Sequence, residues 1–204
     1  MDSDVVKLLL ALFLVVLNGF FVAAEFSIVK VRYSQIQIKA AEGNAMAKQA
    51  EHLIKHLDEY LSATQLGITL ASLALGWVGE SAMHHVIENT LHYFSIALAD
   101  STITTISLVI SFLLITIMHI VFGELIPKSI AIRKSEQTAM LIAMPLRVFY
   151  TVFKPFIWSM NQMSNGFLRL VKIHPASDQE IHSTEELQLL VKQSADSGAI
   201  EEEN

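Results

Sequence analysis

Long apolar runs dominate this chain and predict its elements. Residues 8 to 29 read LLLALFLVVLNGFFVAAEFSIV, interrupted by Asn18, Glu25 and Ser27. At about 1.5 Å of rise per residue, such a run is long enough to cross a bilayer as a helix. A second run, from about Thr64 to Val78, is short and rich in small residues, among them Gly67, Ala71, Ser72, Ala74 and Gly76. Small residues four apart permit close helix contact. The third, from about Thr102 to Phe122, is a clean span with His119 near its far end, and Phe122-Gly123-Glu124-Leu125-Ile126-Pro127-Lys128-Ser129 closes it.

A fourth stretch, roughly Thr138 to Leu170, is interrupted by Pro145, Pro155 and Gly166 and carries Arg147, Lys154 and Arg169. This pattern predicts a broken, re-entrant or interfacial helical hairpin whose cations snorkel to the headgroups. A full fourth crossing is the alternative, and it would move the C-terminal tail to the other side. After His174-Pro175 the composition turns polar, and Ser183-Thr184-Glu185-Glu186 opens an amphipathic helix with Leu187, Leu189, Leu190 and Val191. Glu201-Glu202-Glu203-Asn204 falls in mid-element, as at the front of a longer protein. The expected fold is an all-α integral membrane protein. Residues 1–172 form its membrane domain, with spans about 6–29, 63–79 and 102–123 and Pro-broken juxtamembrane helices about 136–171. Residues 173–204 begin an acidic cytoplasmic helical bundle.

Composition agrees with that class. With 52% hydrophobic residues, mean hydropathy +0.47 and 17% charged residues, the chain is too apolar for an ordinary soluble domain. The net charge of -6 comes largely from the acidic tail. Without cysteine there is neither a disulfide framework nor a thiolate metal site. No basic-aromatic block suggests nucleic acid. A cleaved signal peptide fits poorly, because Asp2 and Asp4 stand where a basic start is usual.

Basic residues assign the sides. Lys30, Arg32, Lys39, Lys48 and Lys55 lie between the first two runs, whereas residues 79 to 101 contain no Lys or Arg and do contain Glu80, Glu88 and Asp100. The first connection is then cytoplasmic and the second external, with the N-terminus outside and the C-terminus in the cytoplasm.

Glu124 is the leading candidate for chemistry. An ionised side chain at membrane depth costs roughly 2.5 to 3.5 kcal/mol on insertion scales, so it tends to face a partner, a cavity or an ion path. Gly123 and Pro127 flank it with a flexible joint and a missing amide hydrogen, which frees carbonyls of the preceding turn to ligate a cation. The bland alternative is an acid paired with Lys128. Glu25 invites an interfacial salt bridge with Lys30 or Arg32, or ion contact. Asn18 suits a helix-helix hydrogen bond as well as a ligand position. Ser72 reads as packing or as a bond to its own helix. Thr69 and Gln65 lie on its face as a polar stripe along which ions could pass, or which faces another helix. His119 is a ligand, a proton carrier or a neutral histidine bonded to a neighbouring helix. His84, His85 and Glu88 have spacing for a surface metal site but lack a third ligand. No nucleophile lies at the depth of His119 and Glu124, so the chain does not read as an enzyme.

Four segments together resemble the transmembrane domain of the CNNM/CorC (cyclin M-like) family of magnesium transport proteins. They are Asn18-Gly-Phe-Phe-Val-Ala-Ala-Glu25-Phe, Ala63-Thr-Gln-Leu-Gly-Ile-Thr-Leu-Ala-Ser72 continuing to Leu75-Gly-Trp-Val-Gly-Glu80, His119-Ile-Val-Phe-Gly-Glu124-Leu-Ile-Pro-Lys128, and Thr184-Glu-Glu-Leu187 with Ser197-Gly-Ala-Ile-Glu201. The resemblance implies a homodimer of three-span domains in the cell membrane, with a juxtamembrane helical belt and an acidic bundle leading to a pair of CBS domains that bind nucleotide; that pair is not in this sequence. It also implies Mg²⁺ as the transported ion, Na⁺-coupled export, and a cation site where the three spans meet. On this chain the site falls on Glu124, the Gly123 carbonyl and Ser72. Where many members have serine, this chain has Val22. A first-span hydroxyl is missing, and Asn18 or the carbonyls near Val22 and Ala23 are the substitutes. A non-transporting Mg²⁺ sensor or scaffold is the alternative function.

Overall fold

The structure, a computed structural model, describes residues 2–93 and 100–171. The expected bundle at 173–204 lies outside them, as do the side chains of His84, His85 and Glu88. Residues 1–161 make one compact unit and 162–204 a second, whose described part is the C-terminal end of the last helix.

Every described element is helical. In chain order they are α1 (Asp2–Lys30), α2 (Tyr33–Ala41), α3 (Ala45–Lys55), α4 (Leu57–Tyr93), α5 (Asp100–Met118), a π-helical segment (His119–Leu125), α6 (Ile126–Arg133) and α7 (Ser135–Leu170). Four stretches are long and apolar enough to cross a membrane: Val5–Lys30, Leu57–Gly79, Ser101–Arg133 and Ser135–Leu170.

Between the first two apolar runs the chain folds into the short helices α2 and α3. Gly43 turns the corner with φ +93°, a conformation that favours glycine. Asn44 then caps α3, its Oδ1 accepting from the backbone N–H groups of Met46 at 2.9 Å and Ala47 at 3.1 Å. Helix α4 begins earlier than its apolar run, with Asp58 and Glu59 suiting the positive end of the helix dipole, and continues well past Gly79 to Tyr93.

Helices α1 and α4 pack closely because α4 offers glycine where α1 offers a ring. A Cβ on Gly67 would lie 2.5 Å from the Phe21 ring, so any side chain there would force the helices apart. Around this contact lies the larger apolar core, with Ala24, Ile28, Leu53, Tyr60, Ala63 and Leu66. Helix α7 adds Ala139, Ile142, Ala143, Leu146 and Ile157, and Phe149 meets Phe21 edge to face with centroids 4.7 Å apart. A smaller cluster of Ala11, Leu14, Val15, Leu75 and Ile115 joins α1, α4 and α5. On α1, Asn18 lies between the two.

The expected break in the fourth stretch is not there. Helix α7 runs for 36 residues with Pro145 and Pro155 inside it and passes through Gly166. A proline removes one intrahelical donor, which kinks a helix more readily than it ends one when both flanks are held. Here Ala143 and Leu146 flank Pro145 and are fully buried, and Ile157 is buried just beyond Pro155. Packing fixes the helix on both sides of each proline.

Candidate cation site

The third apolar helix changes pitch where its sequence becomes unusual. From His119 to Leu125 the backbone is π-helical, and the Ile126 N–H reaches back to the Val121 carbonyl. Pro127 stands near the start of α6, four residues after Gly123. It has no N–H to offer the Gly123 carbonyl, so that oxygen needs another donor. The side chain of Asn18 supplies one: its Nδ2 donates to Gly123 O at 2.9 Å, inside the protein and across the α1 contact.

That bond orients the whole cluster. Because Gly123 O can only accept, the Asn18 amide must turn its nitrogen toward it and its Oδ1 away. Ser72 Oγ lies 3.2 Å from Oδ1 and donates its proton there. His119 Nε2 is 3.3 Å from Ser72 Oγ. With the serine proton already committed, the contact requires Nε2–H to donate to the hydroxyl oxygen, an assignment made from the network. A chain of bonds therefore runs from His119 to Ser72, to Asn18 and to Gly123 O, joining α4, α1 and the π-helical segment. The glycine is sterically required. A Cβ on Gly123 would lie 2.9 Å from His119 Cδ2 and 3.2 Å from Asn18 Nδ2.

Asn18 is 2% exposed, and Ser72 and His119 are half-buried. Three oxygens belong to this chain of bonds: Asn18 Oδ1, Ser72 Oγ and Gly123 O. Such neutral oxygens can ligate a hard cation once their hydrogen bonds are exchanged for it.

The other candidates stand apart. Glu124 is exposed, one residue beyond Gly123, and among the described residues no hydrogen bond or ion pair joins it to the cluster or to Lys128. Val22 is buried one turn after Asn18, and Ala23 is half-buried. Thr69 and Gln65 are exposed, and the Thr69 hydroxyl donates to the Gln65 carbonyl at 2.8 Å. Glu25 faces the charge of Lys128 rather than that of Lys30 or Arg32, and Lys128 Nζ lies 4.4 Å from the Phe26 centroid. Among the described residues no group of three or more His, Cys, Asp or Glu is placed to hold a metal. A groove of 580 Å³ runs along Val121, Leu125, Ile126, Ser129 and Ile130 to Arg133 and Lys134, and none of the cluster residues lines it.

Sequence reasoning missed a second polar assembly, away from this site. Tyr150 OH donates to Glu59, Arg147 to Gln49, and Ser62 Oγ lies 2.8 Å from Asn161 Oδ1. The rings of His56, His52, Tyr60 and Tyr150 meet in that order, with centroids 4.5 Å apart for the two histidines, 6.1 Å edge to face for His52 and Tyr60, and 4.9 Å for the two tyrosines. The spacing of His52, His56 and Tyr60 at successive helical turns was its only sequence signal.

Apolar helices of spanning length around a polar junction define a multi-pass membrane protein. The chain belongs to the cyclin M family: the family's transmembrane N-terminal domain matches residues 9–204. Among curated proteins it is similar to the UPF0053 proteins YrkA and YhdT of Bacillus subtilis. Identity with YrkA is 42% over 96% of this chain and 45% of the relative, and with YhdT 44% over 97% and 43%. An uncharacterized protein of Mycobacterium tuberculosis, Rv1841c, is 34% identical over 96% of this chain and 55% of its own length. The chain spans about half the length of these relatives.

Proposed function

We propose that this domain transports Mg²⁺ across the cell membrane, in Na⁺-coupled export, through a dehydrating site where α1, α4 and the π-helical segment meet. The supporting observation is the Asn18–Ser72–Gly123 junction, in which the buried Asn18 amide on α1 ties an oxygen of α4 and one of the π-helical segment together. Mg²⁺ takes oxygen ligands at about 2.0 to 2.1 Å and keeps some of its waters. Asn18 supplies the first-span oxygen that Val22 cannot. Glu124, exposed beside Gly123, contributes the charge that draws the ion in.

In this reading α7 is a belt and the spans number three. Arg147 and Lys154 stand on its exposed surface, as suits an interfacial helix. The N-terminus is then outside and the C-terminus cytoplasmic. Two copies pair in the bilayer, nucleotide acts only through CBS domains elsewhere in the full protein, and the domain is not an enzyme.

Proteoliposomes with an imposed Na⁺ gradient test the function. Wild-type protein moves Mg²⁺, and Glu124→Gln, with unchanged melting, nearly abolishes flux. Mg²⁺ binding without flux would identify a sensor instead. Single cysteines at Gly43, His85 and Ser177 test the topology, since an impermeant thiol reagent should label only position 85 in intact cells.

A further inference from the structure

Serine and threonine in a helix interior have an easy alternative to reaching outward. They donate to the carbonyl four residues back on their own helix. Two threonines of α4 do this, Thr69 donating to the Gln65 carbonyl at 2.8 Å and Thr90 to Val86 at 2.7 Å, whereas Ser62 Oγ lies within reach of both the Asp58 carbonyl, at 2.9 Å, and Asn161 Oδ1, at 2.8 Å. Ser72 departs from that habit. Its proton goes across the helix boundary to Asn18 Oδ1 at 3.2 Å, although the Ile68 carbonyl lies four residues back on the same helix.

The group that distinguishes Ser72 from its neighbours is His119. Its Nε2 lies 3.3 Å from Ser72 Oγ and donates to the oxygen while the hydroxyl donates onward. Ser72 thus has both a donor and an acceptor outside its own helix, and two bonds outweigh the single one available at Ile68. The ring is held at this spot by absence of bulk beneath it, because Gly123 leaves His119 Cδ2 the space a Cβ would take.

We propose that His119 is a positioning residue for the cation site: it holds the Ser72 hydroxyl out of its own helix and presents that oxygen beside Asn18 Oδ1. This rests on the cation-site reading above. His119 does not itself bind the ion. It acts through Ser72, so without it the hydroxyl turns to the Ile68 carbonyl and the site loses a ligand.

Mg²⁺ flux into proteoliposomes carrying the full-length protein, measured against Mg²⁺ concentration, tests this. His119→Leu should raise KM about three- to tenfold, the worth of one hydrogen bond, with a smaller change in maximal rate. His119→Gln places an amide donor at a similar reach and should restore KM. In a Ser72→Ala background His119→Leu should have no further effect, because the residue it positions is gone. His119→Met serves if the leucine variant fails to fold. A wild-type KM for the apolar variant, a glutamine variant as impaired as leucine, or additive effects of the His119 and Ser72 changes would each overturn the proposal while Asn18→Ala remains defective. If Asn18→Ala and Ser72→Ala both transport normally, the cation-site reading fails, and this proposal with it.

Discussion

The junction around Asn18 and the aromatic core around Phe21 are neighbours on α1, yet they hold helices together by different physics. Around Phe21 the contacts are numerous and interchangeable: Phe149, Leu146, Ile142 and Leu66 each add dispersion, and no single atom sets the geometry. Around Asn18 there are few contacts, and each is directional. The Asn18 amide reaches Gly123 O because Pro127 withholds a backbone donor, and the Gly123 position has room because it lacks a side chain. Strength lies in the first region and specificity in the second. The core around Phe21 can then hold α4 and α7 firmly while the proposed site around Asn18 exchanges hydrogen bonds for an ion.

The sharpest way to break that comparison is to weaken each side in turn. Leu146→Ala removes a fully buried side chain from the aromatic core, and should cost about 2–5 kcal/mol of stability. Denaturation in detergent would show this, and flux by the surviving folded protein should keep its KM for Mg²⁺. Asn18→Ala should show the opposite pattern. It leaves Gly123 O without its side-chain donor, a cost of about 1–3 kcal/mol, smaller than the leucine loss. Transport should nevertheless fall by about tenfold or more, since tenfold requires only about 1.4 kcal/mol of lost ion binding. If Leu146→Ala raises KM as much as Asn18→Ala does, the two regions are not separable.

Gly123→Ala sharpens the same contrast at a smaller scale. The added methyl meets His119 Cδ2 at 2.9 Å, and overpacking of this kind costs about 1–3 kcal/mol unless the ring moves away. A ring that moves releases Ser72, so KM should rise even where melting hardly changes. Removing the ring in the double variant Gly123→Ala/His119→Ala should recover the melting temperature but not the KM. Recovery of both would separate His119 from the site.

The same division governs how much of the molecule was legible beforehand. Apolar runs name helices, because composition alone decides what enters a bilayer, and α1, α4 and α5 fall on the three runs. The continuity of α7 was hidden because its prolines are local signals of a break, whereas Leu146 and Ile157 hold it together through tertiary contacts invisible in sequence. The π-helical turn was hidden too, although Gly123 and Pro127 marked the place and the freed carbonyl was expected. Asn18, Ser72, His119 and Gly123 stood out singly as polar or small residues in apolar runs. Which of them meet depends on helix rotation, and that placed Glu124 at the exposed edge and joined His119 to Ser72.

The smallest effect concerns the outer end of the aromatic region, where charge enters. His52 on α3 has its pKa lowered below the ordinary value of about 6.5, first by burial, then by His56, Arg147 and Lys55, with Glu59 opposing. The unfolded chain thus binds a proton on this histidine more readily than the folded one. Its contribution to stability is full above about pH 6.5 and declines as pH falls through the folded value, where protonation sets a cation beside Arg147 and Lys55. His52 is only half-buried, so solvent screening keeps the effect modest. Melting temperatures should drop between pH 7.5 and 5.5, and His52→Gln, which cannot titrate, should flatten part of that drop. An equal drop in the variant would show that acid loosens the protein elsewhere, leaving the aromatic region as insensitive to charge as its packing suggests.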